Sequence, residues 1–193
     1  MDTRTTARGE APGTDEVVRY YDRIAGKYEA DRFDNSYGRY VDAQKRRVLR
    51  RWLAPVRGGK ILDLACGTGR FLEMATHGLD ASTEMVQIAR RAHPDKSIRC
   101  GLASNMAAFG IQFDAIFCLH FFMRLRPEEI ADMVRSCFEQ LRPGGVFIFD
   151  IPSKLRRKFT GFRPEGWHAA TAVDITVGKP WKLEGALSRQ FLP

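Results

Sequence analysis

Lys60-Ile61-Leu62-Asp63-Leu64-Ala65-Cys66-Gly67-Thr68-Gly69-Arg70-Phe71 is the stretch whose reading decides the fold. A short buried-type apolar run breaks into a loop with glycines at one-residue spacing and then resumes as a helical pattern, which predicts a strand, a tight glycine turn and the N-terminus of a helix. Gly67 and Gly69 carry no Cβ, so they take backbone conformations that other residues resist and let the main chain approach a ligand closely. N–H groups at a helix start have no partner inside the helix and attract a negative ligand group. The layout is that of a nucleotide-type site.

The dinucleotide pattern G-x-G-x-x-G needs a third glycine for close helix–strand packing, and Leu72 occupies that position. The run instead resembles the first motif of class I S-adenosylmethionine-dependent methyltransferases, Asp/Glu-x-Gly-x-Gly-x-Gly, with Asp63, Ala65, Gly67 and Gly69 at the motif positions and Ala65 standing for a glycine. The flanks continue the resemblance. Gly78-Leu79-Asp80-Ala81-Ser82-Thr83-Glu84-Met85 reads as the end of a second strand with an acidic residue, then a helix capped by Ser82 or Thr83 that runs through Met85, Ile88 and Ala89. In the family this acid accepts both ribose hydroxyls, a role the resemblance assigns to Asp80. Ile98-Arg99-Cys100-Gly101-Leu102-Ala103-Ser104-Asn105 stands where the family holds adenine, commonly with an aspartate just after the glycine; Leu102 is there instead, leaving backbone groups around Ala103 and Ser104 to read the ring. Phe113-Asp114-Ala115-Ile116-Phe117-Cys118 resembles the fourth strand, and Leu141-Arg142-Pro143-Gly144-Gly145 followed by Val146-Phe147-Ile148-Phe149-Asp150 resembles the turn and fifth strand. The resemblance covers residues 60–150, implies S-adenosyl-L-methionine as cofactor, and adds Ala81, Met85 and Leu119 to the residues that hold it.

Strands and helices alternate through the middle of the chain, so the expected fold is α/β: a Rossmann-like, doubly wound, mainly parallel sheet with helices on both faces. Ile130, Met133, Val134, Cys137, Phe138 and Leu141 form the stripe of a core helix over Glu128 to Leu141, with Pro127 near its start and Pro143-Gly144-Gly145 after it. Only ten residues separate Gly69 from Asp80, fewer than the family usually has, which implies a shortened second-strand region with the strand vestigial or absent. After Asp174, Trp181 to Leu187 and Ser188 to Leu192 supply an abbreviated C-terminal strand pair. The organisation that follows is a loose tail over 1–14 and a single domain over 15–193: N-terminal lid helices at 15–58, a cofactor-binding core at 59–151, and a substrate loop with the C-terminal strands at 152–193.

Val17, Tyr21, Ile24 and Tyr28 recur on one helical face, and Tyr20 to Tyr28 is similar to the N-terminal lid helix of small-molecule methyltransferases, whose aromatics close over the cofactor. A sulfonium is a cation, so Tyr21 and Tyr28 have a physical reason to lie near it. Asp34-Asn35-Ser36-Tyr37-Gly38 is turn-like and places Tyr37 near a pocket mouth. His120, just beyond the fourth strand, is the candidate catalytic base, with Phe122 beside it as a substrate contact. Arg163, Trp167 and His168 lie in a loop of aromatics and charges after the fifth strand, where related enzymes contact substrate. His77 and His93 carry no site signal.

At 193 residues and 44% hydrophobic content the chain suits one globular domain. No apolar run approaches the roughly 18 residues that span a membrane, and Met1 to Thr14 is polar, unlike a secretion signal. Cys66, Cys100, Cys118 and Cys137 show neither metal-ligand spacing nor a disulfide framework, which reads as buried free thiols in a reducing cytoplasm without a metal. The net charge of +8 comes with basic bunches at Lys45-Arg46-Arg47 with Arg50-Arg51, and at Lys154 with Arg156-Arg157-Lys158. Such a surface can bind nucleic acid. The first bunch, however, alternates with Val41, Val48, Leu49, Trp52 and Leu53 at helical spacing, as on a solvated amphipathic face. Cys118-Leu119-His120-Phe121 replaces the Asn/Asp-Pro-Pro-aromatic motif of adenine-N6 methyltransferases, and the Pro-Cys or Thr-Cys nucleophile of cytosine-C5 enzymes is absent. The expected function is methyl transfer from S-adenosylmethionine to an amine or oxygen of a small-molecule acceptor by in-line displacement, within the group containing ubiquinone-pathway and amino-sugar methyltransferases. An RNA methyltransferase using the basic surface is the second reading, and a degenerate cofactor-binding or scaffold protein the third.

Overall fold

Ile61, Leu62, Asp63 and Leu64 are all buried, because the strand they form has neighbours on both edges and a layer on each face. The computed structural model describes residues 13–122, 125 and 127–150. That strand, β1 (Ile61–Leu64), is the middle of a five-stranded sheet with β2 (His77–Asp80), β3 (Ser97–Cys100), β4 (Phe113–Cys118) and β5 (Leu141–Phe149), in the order β3-β2-β1-β4-β5 and parallel throughout. Chain order reverses between β1 and β4, and the crevice at such a switch point is where open α/β sheets hold ligands.

Alternation along the strands builds two cores. Leu62, Leu64, Ile116, Phe147 and Phe149 point to the face covered by Ile130, Val134 and Cys137 of α5 (Pro127–Glu139). Ile61, Ala115, Phe117 and Ile148 point to the opposite face, under Leu49 and Leu53 of α3 (Ser36–Leu53) and Val86 and Ala89 of α4 (Thr83–Ala92). Fully buried side chains of this kind contribute about 1.5–3 kcal/mol each, so the doubly wound architecture expected from the alternation is the one the packing holds. Phe122 belongs to this core. It is fully buried and stacked on Phe149 with ring centroids 4.6 Å apart, so it is a packing residue and not the expected substrate contact.

The second strand corrects the expectation of a vestigial or absent element. β2 is fully paired on both edges, Leu62 with His77 and Leu79 with Arg99 among its partners, and lies inside the sheet rather than at its border. The shortage of residues removes the crossover helix instead: after the glycine loop there is only a 3-10 turn, Leu72–Met74, and no helix starts there. The ladder of backbone hydrogen bonds and the burial of Leu79 favour keeping the strand, while the fully buried Leu72 fills the place of a helix against Gly78. In β5 the register jumps from Phe113 paired with Leu141 to Ala115 paired with Val146, so Arg142 to Gly145 arch out within the strand, with Gly144 at φ 81°.

The N-terminal helical face is broken. α1 (Thr14–Ile24) passes through a 3-10 turn, Ala25–Lys27, into α2 (Tyr28–Phe33). Asn35 then caps α3 by accepting from the Gly38 N–H at 2.8 Å, so Tyr37 is a helical residue, more than half exposed, rather than part of a turn. On α3, Arg47, Arg50 and Arg51 are exposed as a solvated face predicts, but Lys45 and Arg46 are partly buried in ion pairs with Asp150, Asp42 and Glu73. Three of the four cysteines are buried, whereas Cys100 is exposed. The expected tail is described only from residue 13, α1 beginning at Thr14, and the C-terminal strands and second basic bunch lie outside the described residues.

Ala65 sits at φ 59°, a left-handed conformation where the motif has glycine. An L-residue there loses about 1–2 kcal/mol, of which part returns because alanine is less free than glycine in the unfolded chain. Ala65→Gly is therefore expected to raise stability by about 0.5–1 kcal/mol in urea unfolding at unchanged m-value. A loss of stability would contradict strain at this position.

Candidate functional site

At the ligand edge of β1 the glycine loop is fixed by a carboxylate from the neighbouring strand. The Gly67 N–H, on a residue at φ 54°, donates to Asp80 Oδ2 at 2.8 Å, and the Ser82 N–H donates to Asp80 Oδ1 at 2.9 Å. Burial raises the Asp80 carboxyl above its ordinary range, while the amides of Ser82 and Gly67 pull it the other way. Asp63 lies beneath this joint at 3% exposure; burial first, and then the charge of Asp80, push its carboxyl well up. Gly69 has a packing role: at φ 91°, a Cβ there would stand 3.0 to 3.2 Å from His93, Leu72 and Ala89. Ser82 also caps α4, accepting from the Met85 N–H at 3.2 Å.

α1 and α2 form a roof over this edge, tied down by two carboxylates. Asp22 accepts from Ser82 Oγ at 2.6 Å and from the Glu84 N–H at 3.2 Å. Glu29 accepts from the Thr68 hydroxyl and pairs with Arg70, both in the glycine loop. Between these ties Tyr21 and Tyr28 meet edge to face, ring centroids 6.0 Å apart, and both line a cavity of about 620 Å³. Its floor and walls include Ala65, Gly67, Asp80, Ala81, Met85, Ala103, Ser104 and Leu119. Leu102 replaces the family's acid in the same wall, and Phe121, Leu125 and Met133 close the far side. Among the described lining residues the acidic side chains are Asp80, Glu129 and Asp132, and none is a lysine or arginine.

His120 lines the cavity from the end of β4, at φ 61°. Its backbone N–H donates to Asp150 Oδ1 at 2.6 Å, and the Lys45 ammonium lies 2.7 Å from Nε2 and 3.3 Å from Nδ1 of the ring. Asp150 Oδ2 accepts from the same Lys45. Burial, followed by the charge of Lys45, lowers the His120 ring to about 4, so it is neutral at physiological pH. Burial works against the Asp150 carboxylate, but Lys45 and His120 outweigh it and hold the group below its usual range.

Of the residues read from the sequence, Tyr21, Tyr28, Ala65, Gly67, Asp80, Ala81, Met85, Ala103, Ser104, Leu119 and His120 come together around one cavity. Asp63 and Gly69 lie behind the lining, and Tyr37 and Phe122 are not part of it. Arg163, Trp167 and His168 lie outside the described residues. Sequence reading missed Asp22, Glu29, Lys45 and Asp150, whose roles arise from contacts across the fold; the seven-residue spacing of Asp22 and Glu29 was the available signal for the roof ties. The chain fits S-adenosylmethionine on observations of its own: a Cβ on Gly67 would meet nothing within 4 Å, so the backbone is open there, and Asp63 Oδ2 is a buried carboxyl oxygen with no hydrogen-bond partner beside it.

Comparison with known proteins agrees. The family model described as a methyltransferase domain matches residues 62–149, from β1 through β5. A demethylmenaquinone methyltransferase of Thermotoga maritima is 32% identical over 154 residues, covering 75% of this chain and 66% of the relative. The dTDP-3-amino-3,4,6-trideoxy-alpha-D-glucopyranose N,N-dimethyltransferase of Streptomyces venezuelae is 32% identical over 125 residues, 58% of this chain and 48% of the relative. The chain thus spans less than two thirds of the length of either. The crystal structure of magnesium protoporphyrin IX methyltransferase from Synechocystis PCC 6803 with bound S-adenosylmethionine superposes with a TM-score of 0.60 at 17% identity, covering 76% of this chain and 80% of that one, a likeness of fold. With the motif, the sheet order and these relatives in agreement, residues 62–149 are a methyltransferase domain of the class I S-adenosylmethionine-dependent kind.

Proposed function

We propose that this protein transfers the methyl group of S-adenosylmethionine to an amine or oxygen of a small-molecule acceptor. The observation that carries this reading is the roofed cavity of about 620 Å³, in which the glycine loop, Asp80 and the two tyrosines converge. Its size suits a cofactor with a compact acceptor. The carboxylate lining argues in the same direction, because an otherwise basic chain presents acidic groups to whatever enters, a poor match for a polyanion such as RNA. Part of the basic surface is also consumed, Lys45 and Arg46 being paired within the fold. Among the described residues no helix is long and apolar enough to cross a membrane. We place the protein in the cytoplasm on the reading of its thiols.

S-adenosylmethionine supplies a sulfonium-activated methyl group, so the protein's work is alignment and exclusion of water. Asp80 would hold the ribose, the open backbone at Gly67 and Ala65 the amino-acid end, and Ala103, Ser104 and Leu119 the adenine. Tyr21 and Tyr28, edge to face in the cavity lining, would offer aromatic rings to the cation and shut water out from above. His120, in the same lining, would meet the acceptor as a neutral hydrogen-bonding group.

Incubating the protein with methyl-labelled S-adenosylmethionine and a cell extract, then separating metabolites, RNA and protein, is expected to place the label in the metabolite fraction; label confined to RNA would contradict the reading. Asp80→Asn is expected to weaken S-adenosylmethionine binding by about 1–3 kcal/mol, the size of a lost charge-assisted contact, in calorimetry on protein with unchanged circular dichroism. Equal affinity would reject the ribose role.

A further inference from the structure

Lys45 is 16% exposed at its side chain and reaches from α3 across the ligand edge of the sheet to two groups: the Asp150 carboxylate after β5 and the ring of His120 after β4. Asp150 holds both ends of this arrangement, Oδ1 on the His120 N–H and Oδ2 on the Lys45 ammonium. The backbone of His120 is in a left-handed conformation that a non-glycine residue keeps only when its surroundings over-determine it. Its ring is confined further by Phe33, edge to face at a centroid distance of 6.0 Å. We propose that Lys45, clamped by Asp150, is a positioning residue for His120: its ammonium donates to the imidazole and fixes the ring at the cavity wall.

An ammonium close to both ring nitrogens leaves little room for a second positive charge. Among the described residues, Arg32 from α2 and Arg70 from the glycine loop act on the ring in the same sense as Lys45, and Asp150 acts against them. Burial adds to the cationic effect, and the balance leaves His120 at about 4. A ring kept neutral in this way makes hydrogen bonds but is a poor sink for a proton. This favours an acceptor amine that arrives neutral over a hydroxyl that has to be deprotonated. That consequence rests on the methyl-transfer reading, whereas the charge state of the ring does not.

The test follows the histidine ring nitrogens of the ¹⁵N-labelled full chain by NMR from about pH 5 to about pH 8.5, with His120 assigned through His120→Gln. In the wild type the His120 ring is expected to stay neutral throughout. In Lys45→Met its midpoint is expected to rise by about one pH unit or more, while Lys45→Arg, which keeps the charge, leaves the ring neutral. A wild-type midpoint near the ordinary value of about 6.5, or the same curve in Lys45→Met as in the wild type, overturns the proposal. Should Lys45→Met fail to fold, the wild-type curve together with Lys45→Gln decides in its place. Calorimetry with S-adenosylmethionine on the same wild-type sample separates the two claims, since absence of binding removes the methyl-transfer reading and leaves the titration result standing.

Discussion

A carboxylate buried at the end of a strand must find donors or give up its charge, and Asp80 finds them in the amides of Gly67 and Ser82. Those amides belong to different segments: the glycine loop after β1 and the cap of α4. One side chain therefore sets the distance between the loop and the helix that bound the cavity floor. The loop needs that support because no helix follows it here; beyond Phe71 there is only a single 3-10 turn. Ala65, in a conformation that favours glycine, is held in the same frame.

The roof repeats the device from the other side. Asp22 reaches the cap of α4 and Glu29 the glycine loop, so the segments joined by Asp80 from below are also joined to α1 and α2 from above. Within the glycine loop Arg70 is the hub, pairing with Glu29 and Asp42 while lying 3.3 Å over the Phe33 ring. The consequence for function is electrostatic as well as mechanical. Arg70 is neutralised by these two carboxylate partners, and the acidic side chains of the described cavity lining face no lysine or arginine within it, an arrangement suited to a cofactor whose reactive centre is a cation.

The sheet was largely legible in the sequence because its strands are buried on both faces and announce themselves as short apolar runs between turns, as in Ile61 to Leu64 and Phe113 to Cys118. The pocket-facing residues were legible for a different reason: the glycine spacing and the acid at Asp80 are local patterns. What the sequence did not disclose is non-local. The shortage of residues before Asp80 was plain, but whether strand or helix would be given up depended on pairing with β1 and β3 on both edges. Phe122 and His120 are two residues apart after β4, yet one is stacked in the core on Phe149 and the other lines the cavity. The Lys45–Asp150 pair joins positions 105 residues apart, and no periodicity in either segment marks it.

The most direct measurement is titration calorimetry of the unmodified chain with S-adenosylmethionine and, separately, with its demethylated product. A cavity built around Gly67, Asp80 and the two roof tyrosines predicts that each ligand binds once per chain and that either excludes the other. Folded protein that takes up neither ligand would contradict the account.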